Sequence, residues 1–143
     1  MNAHGARIAI TGGAGFLGAA LARRLLACDQ VCIGGAPPRP IGRLVLADIA
    51  IPPADLVGHP RVSVVTGALA DTAPDLADVD LVCHLAGVVS GAAEADFDLG
   101  MRTNLDALRL VLERARRMAV PPVLVFTSSL AVFGSDPALG PIG

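Results

Sequence analysis

Three regularly spaced glycines constrain the fold of this chain more than any other feature. Gly12, Gly15 and Gly18 form a G-x-x-G-x-x-G pattern directly after a short apolar run, residues 7–11. An apolar run that ends in glycine is typical of a central strand in a parallel sheet. The following segment predicts an amphipathic helix from about Gly15, because residues of one face recur at spacings of three and four. That face is expected to comprise Phe16, Leu17, Ala20, Leu21, Arg24 and Leu25.

Each of the three glycines has a physical task in such a strand–turn–helix unit. The first permits a tight turn, the second lets the backbone approach a pyrophosphate, and the third lets the helix pack close to the strand. Free N–H groups at the start of the helix then point at the phosphates. Because the pattern lies between a strand and a helix, as the motif requires, the sequence predicts a dinucleotide-binding site. The alternative is a glycine-rich turn without a ligand.

The rest of the chain alternates strands with loops and helices, which predicts an α/β domain. A helix is expected over Ala92–Met118, with a break near Gly100. The 53% hydrophobic content suits strands that are buried on both faces, as in parallel sheets. We expect one domain over residues 1–143, a doubly wound parallel sheet of Rossmann type with strand order 3-2-1-4-5. The five strands are predicted at Arg7–Thr11, Arg43–Asp48, Arg61–Thr66, Asp80–Leu85 and Val123–Thr127.

An acidic residue, Asp48, ends the second predicted strand. A carboxylate at this point can accept both ribose hydroxyls of adenosine and would repel a 2′-phosphate, which favours NAD over NADP. Asp48 lies farther from Gly18 than the usual spacing of about 20 residues. The proline- and glycine-rich residues 28–42 explain the excess and predict a loop, although residues 31–33 could form a strand. The alternative is that Asp48 is only a turn residue.

Further candidate residues lie at the carboxyl ends of the fourth and fifth strands, at the edge where open α/β sheets bind ligands. His84 could act as a base, but its place on a buried strand favours a hydrogen-bonded core histidine. The small residues Ala86 and Gly87 would let the backbone lie against a cofactor. Ser128 and Ser129 follow the fifth strand, where the reactive end of a cofactor should lie. The alternative is that these two serines cap the strand end.

Composition and charge argue against several other functions. A net charge of −2 provides no basic field for nucleic acid. Cys28, Cys32 and Cys83 are odd in number and lack a CxxC spacing, so we expect no disulfide framework and no metal site, and a reducing cytoplasm fits best. Neither a membrane-spanning run of about 18 apolar residues nor a signal peptide is visible, so no membrane contact is expected.

Four motifs, in this order, resemble those of the extended short-chain dehydrogenase/reductase family, also called the NAD-dependent epimerase/dehydratase family. Residues 11–18 resemble its TGGxGFxG fingerprint, and residues 84–87 resemble its HxAA element, with glycine in the last position. Residues 104–107 are similar to its NxxG helix motif, with alanine in place of glycine. Residues 127–134 are similar to SSSxxVYG, with phenylalanine in place of tyrosine.

This resemblance implies a role for each matching residue. The glycines would hold the pyrophosphate with the amides of Phe16 and Leu17, and Asp48 with Ile49 would hold the adenosine ribose. Ser129 matches the catalytic hydroxyl that hydrogen-bonds the substrate oxygen, and its neighbour Ser128 would contact substrate. Asn104, which from the residues alone could equally be an exposed helix residue, would be structural or support the active-site network. The implied cofactor set is Thr11, Gly12, Gly15, Phe16, Leu17, Gly18, Asp48, Ile49, Leu85, Ala86, Gly87 and Asn104.

A narrower resemblance is to the D-erythronate dehydrogenase branch of the family. It rests on residues 88–98, on the longer loop before Asp48, and on the pattern SSxAVFG at residues 128–134. Those enzymes oxidise a hydroxyl of a sugar acid with NAD. The implied partner of the whole enzyme is a sugar acid, or a nucleotide sugar as in the 4-epimerases and dehydratases of the family. Members often form homodimers through helices beside strands four and five, a role that residues 92–118 could fill.

Two departures from the family pattern limit what the resemblance implies. Members often carry an acid two residues into the loop after strand three, but Ala68 stands there, which leaves the adenine contact open. The family's base is a tyrosine in a YxxxK pair, and the sequence contains neither tyrosine nor lysine. We therefore expect the N-terminal part of an enzyme, truncated before the last strands and the substrate lobe and inactive alone. The alternatives are a stand-alone, non-catalytic NAD-binding module and a relative that acts through protein contacts.

Overall fold

Strand β1 (Ala6–Thr11) lies at the centre of a parallel sheet. In this computed structural model, which describes residues 5–72, 78–129 and 132, β1 pairs with β3 (Arg39–Asp48) on one side and β5 (Leu81–His84) on the other. Beyond them, β4 (Val62–Thr66) pairs with β3 and β6 (Val123–Phe126) pairs with β5. The order β4-β3-β1-β5-β6 confirms the predicted strand order 3-2-1-4-5 and the α/β fold of Rossmann type.

Helical segments connect the strands, and hydrophobic side chains fill both faces of the sheet. Successive β1 residues point to opposite faces, so Ile8 and Ile10 pack in one cluster with Leu44 and Leu46, whereas Ala9 packs in the other with Val111. Burial on both faces is what the high hydrophobic content predicted. The segments are α1 (Phe16–Cys28), α2 (Ala54–Val57), α3 (Leu69–Thr72), α4 (Ser90–Ala95), α5 (Phe97–Gly100), a π-helical segment (Met101–Asp106) and α6 (Ala107–Ala115).

The predicted buried face of α1 is right for Leu21 and Leu25, which pack against the core, and wrong for the first turn of the helix. Phe16 and Leu17 are 88% and 59% exposed, whereas the buried residues of α1 are Gly18, Ala19 and Ala22. The helix approaches the sheet through these small side chains, which permit closer packing than leucine or phenylalanine would. The two large apolar residues of the first turn therefore lie at the surface beside the glycine loop.

A short strand that was predicted only as an alternative to a loop precedes β3. Strand β2 (Gln30–Val31) pairs antiparallel with the first residues of β3, which begins at Arg39 and not at Arg43 as predicted. Gly34 and Gly35 adopt φ values of 60° and 77°, the left-handed conformations that a reversal of the chain requires. The result is a hairpin inserted between α1 and the core part of β3.

The helix predicted over residues 92–118 is divided into several segments. It begins at Ser90 and is interrupted at Asp96, whose extended backbone ends α4. The Asp96 side chain then caps α5 by accepting a hydrogen bond from Leu99 N–H at 2.9 Å. At Gly100, where the break was predicted, the backbone stays helical and continues into the π-helical segment. The last segment, α6, ends at Ala115.

A carboxylate joins three segments at the amino-terminal edge of the sheet. Asp80 Oδ2 accepts a hydrogen bond from Arg7 N–H at 2.7 Å, and its Oδ1 lies 2.7 Å from the Arg39 guanidinium. Partial burial is the largest influence on the pKa of Asp80 and acts to raise it. The hydrogen bonds from Arg7 and Arg39 together outweigh burial, so the pKa of Asp80 is lowered. The start of β1, the start of β5 and the inserted hairpin are thereby held together.

We predict that Asp80→Ala lowers the free energy of unfolding by about 1–3 kcal/mol, because the Arg7 amide and the Arg39 guanidinium lose their acceptor. Urea denaturation measures the change. Asp55→Ala is the matched control, since Asp55 pairs with Arg23 on an exposed surface and its loss should cost less. Equal losses in both variants would contradict a special role for Asp80.

Candidate functional site

The loop between β1 and α1 packs directly against the chain that leaves β5. Gly12 has a φ of 71°, which favours glycine, and the Gly15 N–H donates to the Gly12 carbonyl at 3.1 Å. A Cβ atom on Gly12 would lie 2.8 Å from the Ala86 nitrogen. The first glycine therefore permits both the predicted tight turn and a close contact between two loops at the carboxyl edge of the sheet.

The third glycine packs on the loop itself. A Cβ atom on Gly18 would lie 2.1 Å from the Gly12 carbonyl oxygen, so only glycine lets α1 start at this place. Sequence reasoning assigned this contact to the strand. It also missed Gly13, where a Cβ atom would lie 2.8 Å from Leu46 Cβ on β3. The doubled glycine at positions 12 and 13 was the available signal for that second close approach.

The start of α1 offers backbone donors that no carbonyl of the helix accepts. The first backbone hydrogen bond of the helix runs from Ala19 N–H to the Gly15 carbonyl at 2.9 Å, so the amides of Phe16, Leu17 and Gly18 have no acceptor within the helix. Gly15, the N-cap, provides no side-chain cap, and the first turn contains no acidic residue. These amides and the positive end of the helix dipole form a site suited to an anion.

The carboxylate of Asp48 lies beside this loop. Asp48 is the last residue of β3, and its Oδ2 accepts a hydrogen bond from Ala14 N–H at 2.9 Å. Its Oδ1 accepts one from Ala50 N–H at 3.0 Å. The neighbouring Ile49 is 79% exposed. The structure thus brings the acid predicted to contact ribose next to the loop predicted to contact phosphate, and it adds two backbone hydrogen bonds that the sequence did not indicate.

The loop after β4 reaches the same acid through its backbone. Gly67 N–H donates to the Asp48 carbonyl at 2.9 Å, so Ala68 lies in a loop that starts beside Asp48. Ala68 is exposed and has no polar side chain for an adenine.

Thr11 and His84 form a buried polar pair beneath the loops. The Thr11 Oγ1 lies 2.7 Å from His84 Nδ1, and both residues are almost fully buried. Ala86 N–H also donates to Thr11 Oγ1, at 3.3 Å. Burial lowers the pKa of His84, because the imidazolium is disfavoured away from water. His84 is therefore the hydrogen-bonded core histidine that the sequence favoured, and the Thr11 hydroxyl is bonded to His84 and Ala86.

Asn104 holds the loop that follows β5. Its Oδ1 accepts from Val88 N–H at 2.9 Å and its Nδ2 donates to the Val88 carbonyl at 3.0 Å. Asn104 lies in the π-helical segment, and π-helical turns are frequent at functional sites. A Cβ atom on Gly87 would lie 3.2 Å from Asn104 Oδ1. Although exposed, Asn104 is thus a bidentate partner of the backbone, a role that its sequence position alone left open.

The two serines lie at the same edge of the sheet. Ser128 and Ser129 follow β6 and are exposed, and β6 pairs in parallel with β5 up to the contact of Phe126 with His84. The carbonyl of Ser129 accepts a hydrogen bond from Val132 N–H at 3.3 Å. Leu85, Ala86 and Gly87 therefore lie between the glycine loop and the serines along this edge. The last residues of the fourth motif, Phe133 and Gly134, fall outside the described residues.

A candidate metal centre and a membrane-spanning helix are both absent from the part of the chain that the structure describes. Across residues 5–72, 78–129 and 132, no three His, Cys, Asp or Glu side chains are grouped as metal ligands would be. The helices of the described chain are too short, or too polar, to cross a membrane.

Comparison with known proteins gives matches along nearly the whole chain. The sequence profile of the NAD-dependent epimerase/dehydratase family matches residues 8–142. A D-erythronate dehydrogenase from Cupriavidus necator is 50% identical over 133 residues, which cover 90% of this chain and 40% of that protein. A second D-erythronate dehydrogenase, from Haemophilus influenzae, is 39% identical over 134 residues and is also covered to 40% of its length. The chain thus spans about 40% of the length of these curated relatives.

A solved structure gives the same result for the fold. The nucleoside-diphosphate-sugar epimerase of Agrobacterium tumefaciens aligns with a TM-score of 0.78 at 35% identity, over 93% of this chain and 40% of that protein.

We predict that the buried His84 makes stability depend on pH. Above about pH 6.5 the histidine is neutral in the folded and unfolded states. Below that value the unfolded state binds a proton first, because the pKa of His84 is lowered in the fold. The free energy of unfolding should therefore fall on acidification by up to about 1.4 kcal/mol per pH unit, and level off below the lowered pKa.

Urea denaturation between neutral and mildly acidic pH measures this dependence. His84→Asn, which removes the titrating ring, should reduce the slope, and His59→Asn should retain it. An unchanged slope in His84→Asn would show that another group causes the acid sensitivity.

Proposed function

This chain belongs to the NAD-dependent epimerase/dehydratase family, and from that premise we propose that it is the NAD-binding part of an oxidoreductase that acts on a sugar acid. One observation carries the proposal. The free amides at the start of α1 and the Asp48 carboxylate lie at one edge of the sheet, joined by the hydrogen bond from Ala14. A donor set for phosphate next to an acceptor for hydroxyls matches the pyrophosphate and adenosine ribose of a dinucleotide.

The residues present fit this cofactor. Gly12, Gly15 and Gly18 leave room for close approach to the pyrophosphate, and the amides of Phe16 and Leu17 would bind it. Each Asp48 oxygen accepts one backbone N–H and retains capacity to accept a ribose hydroxyl. Ile49 would contact the adenosine, and Leu85, Ala86 and Gly87 would line the channel towards the nicotinamide. Thr11 and Asn104 would act by holding the loops, through His84 and Val88 respectively.

The reaction would need further groups. When bound, NAD would accept a hydride from the substrate carbon that bears the hydroxyl. Ser129 would hydrogen-bond the substrate oxygen, with Ser128 as a neighbouring contact. A base must remove the hydroxyl proton, and the chain contains neither the tyrosine nor the lysine of the family's base pair. We propose that these 143 residues bind NAD without turning over substrate.

The substrate class is proposed from the relatives. Identity of 50% to a D-erythronate dehydrogenase supports a sugar acid as the substrate of the whole enzyme. The solved nucleoside-diphosphate-sugar epimerase, at 35% identity, supports a nucleotide sugar as the second candidate. We place the protein in the cytoplasm, because Cys28 and Cys32 are exposed free thiols, as a reducing compartment allows.

We also propose that the chain forms a homodimer through α5, the π-helical segment and α6. Phe97, Met101, Leu105 and Leu112 recur there at helical spacing and are 38–73% exposed. An exposed apolar stripe of this kind is typical of a protein interface. Sedimentation velocity should give a dimer for the wild type and a monomer for Leu105→Arg. Val57→Arg, on the opposite side of the sheet, should remain dimeric; a monomeric wild type would refute the proposal.

We predict that calorimetric titration gives at least about tenfold tighter binding of NAD than of NADP, because the Asp48 carboxylate repels a 2′-phosphate. Asp48→Asn should reduce this preference. Asp55→Asn, which removes a distant exposed carboxylate, should retain it. Tighter binding of NADP by the wild type would overturn the role of Asp48.

The same protein should form no NADH when NAD and D-erythronate are supplied together. Robust formation of NADH would contradict the proposal that the chain binds the cofactor without catalysis.

A further inference from the structure

We propose that Asp48 is a positioning residue for the glycine loop, in addition to facing the adenosine ribose. Its carboxylate would hold Ala14 so that the following amides point at the pyrophosphate. This inference rests on the proposed NAD site and deepens it: one side chain would set the conformation of the phosphate-binding loop and also contact the sugar next to that phosphate.

The contacts around Asp48 tie three loops to the end of β3. Oδ2 accepts from Ala14 N–H at 2.9 Å and Oδ1 accepts from Ala50 N–H at 3.0 Å. The Asp48 carbonyl accepts from Gly67 N–H at 2.9 Å. One residue earlier, the Ala47 carbonyl accepts from Gly13 N–H at 3.3 Å. The glycine loop is therefore fixed to β3 by two consecutive hydrogen bonds, one from each of its residues Gly13 and Ala14.

The glycine loop has few other means of holding its shape. Residues 12–15 are three glycines and an alanine, so none of them has a polar side chain or more than one side-chain carbon. Glycine segments lose more conformational freedom on folding than other segments. Gly15 is the N-cap of α1 and makes no side-chain cap. The usual cap is an oxygen from Ser, Thr, Asp or Asn at that position.

Asp48 supplies an acceptor for this loop from another strand, at Ala14 N–H before the N-cap and not at the amides of the first helical turn. A carboxylate bound to a backbone N–H makes a charge-assisted hydrogen bond, which is stronger than one between neutral groups. Its negative charge also lies near the positive end of α1, where it is favourable. The bond ends at Ala14, two residues before Phe16, the first residue whose amide would bind pyrophosphate. Loss of the carboxylate should therefore disturb those amides even for a ligand that Asp48 does not touch.

A pair of probes separates positioning from direct contact. ADP carries a diphosphate and both ribose hydroxyls, whereas 2′,3′-dideoxy-ADP keeps the diphosphate and lacks the hydroxyls. Direct contact alone predicts that Asp48→Ala weakens ADP and leaves dideoxy-ADP unchanged. Positioning predicts that Asp48→Ala weakens dideoxy-ADP as well, by about tenfold.

Two variants control this calorimetric comparison. Asp48→Asn should restore part of the dideoxy-ADP affinity, because its amide oxygen can accept from Ala14 while its NH₂ group faces the Ala50 N–H. Leu44→Ala removes a fully buried side chain from the same strand and should lower stability, but leave both affinities unchanged. Dideoxy-ADP binding that is equal in the wild type and Asp48→Ala would overturn the inference, as would an equal loss in Leu44→Ala.

A measurement on the free protein tests the positioning role of Asp48 even if the protein binds no nucleotide. In the free protein, Asp48→Ala should shift the NMR resonances of the Ala14, Phe16 and Leu17 amides and speed their hydrogen exchange, whereas Leu44→Ala should not shift them. Unchanged resonances would overturn positioning by Asp48. A wild type that binds neither ADP nor NAD, yet shows these shifts, would overturn the proposed function and leave the structural role of Asp48 supported.

Discussion

Direct contact between backbone segments at the carboxyl edge of the sheet is the constraint on which the rest of this site depends. Gly12 lies against Ala86, Gly13 lies against Leu46, and Gly18 lies against Gly12 itself, at separations that a Cβ atom would not permit. These three contacts join the ends of β1, β3 and β5 and fix where α1 begins. The amides of the first helical turn are oriented as a consequence, so the anion site results from how closely the strands and the helix pack.

The polar side chains at this edge mainly form hydrogen bonds within the protein and are less available to a ligand. Thr11 is bonded to His84 and to the Ala86 amide, and Asn104 is bonded twice to Val88. The bond between Thr11 and His84 satisfies two buried polar groups that would otherwise be costly, and the bonds of Asn104 fix the loop after β5. The groups left for a cofactor are mostly backbone N–H groups, which suit a phosphate. Asp48 alone has both functions in our proposals, since its oxygens bind backbone and retain capacity for hydroxyls.

The fold was largely predictable from the sequence, and the reasons for the failures are physical. Short apolar runs identified the strands, because parallel strands buried on both faces leave a continuous apolar signal. The first turn of α1 was wrongly assigned to its buried face, because periodicity favours large apolar residues such as Phe16, whereas close packing selected Ala19 and Ala22. The bonds of Asp48 to Ala14 and of Asn104 to Val88 were not predictable, because each joins segments distant in sequence, which no residue pattern records.

The glycine that replaces alanine in the second motif has a local physical explanation. A Cβ atom at Gly87 would lie 3.2 Å from Asn104 Oδ1, tighter than side chains normally tolerate without a shift. That oxygen is already committed to Val88 N–H at 2.9 Å, and the π-helical segment fixes where Asn104 can reach. An alanine at position 87 would therefore require Asn104 or the loop to move by a few tenths of an ångström. Glycine lets this loop, the helix that carries Asn104 and the end of β5 approach one another without displacing the bidentate contact.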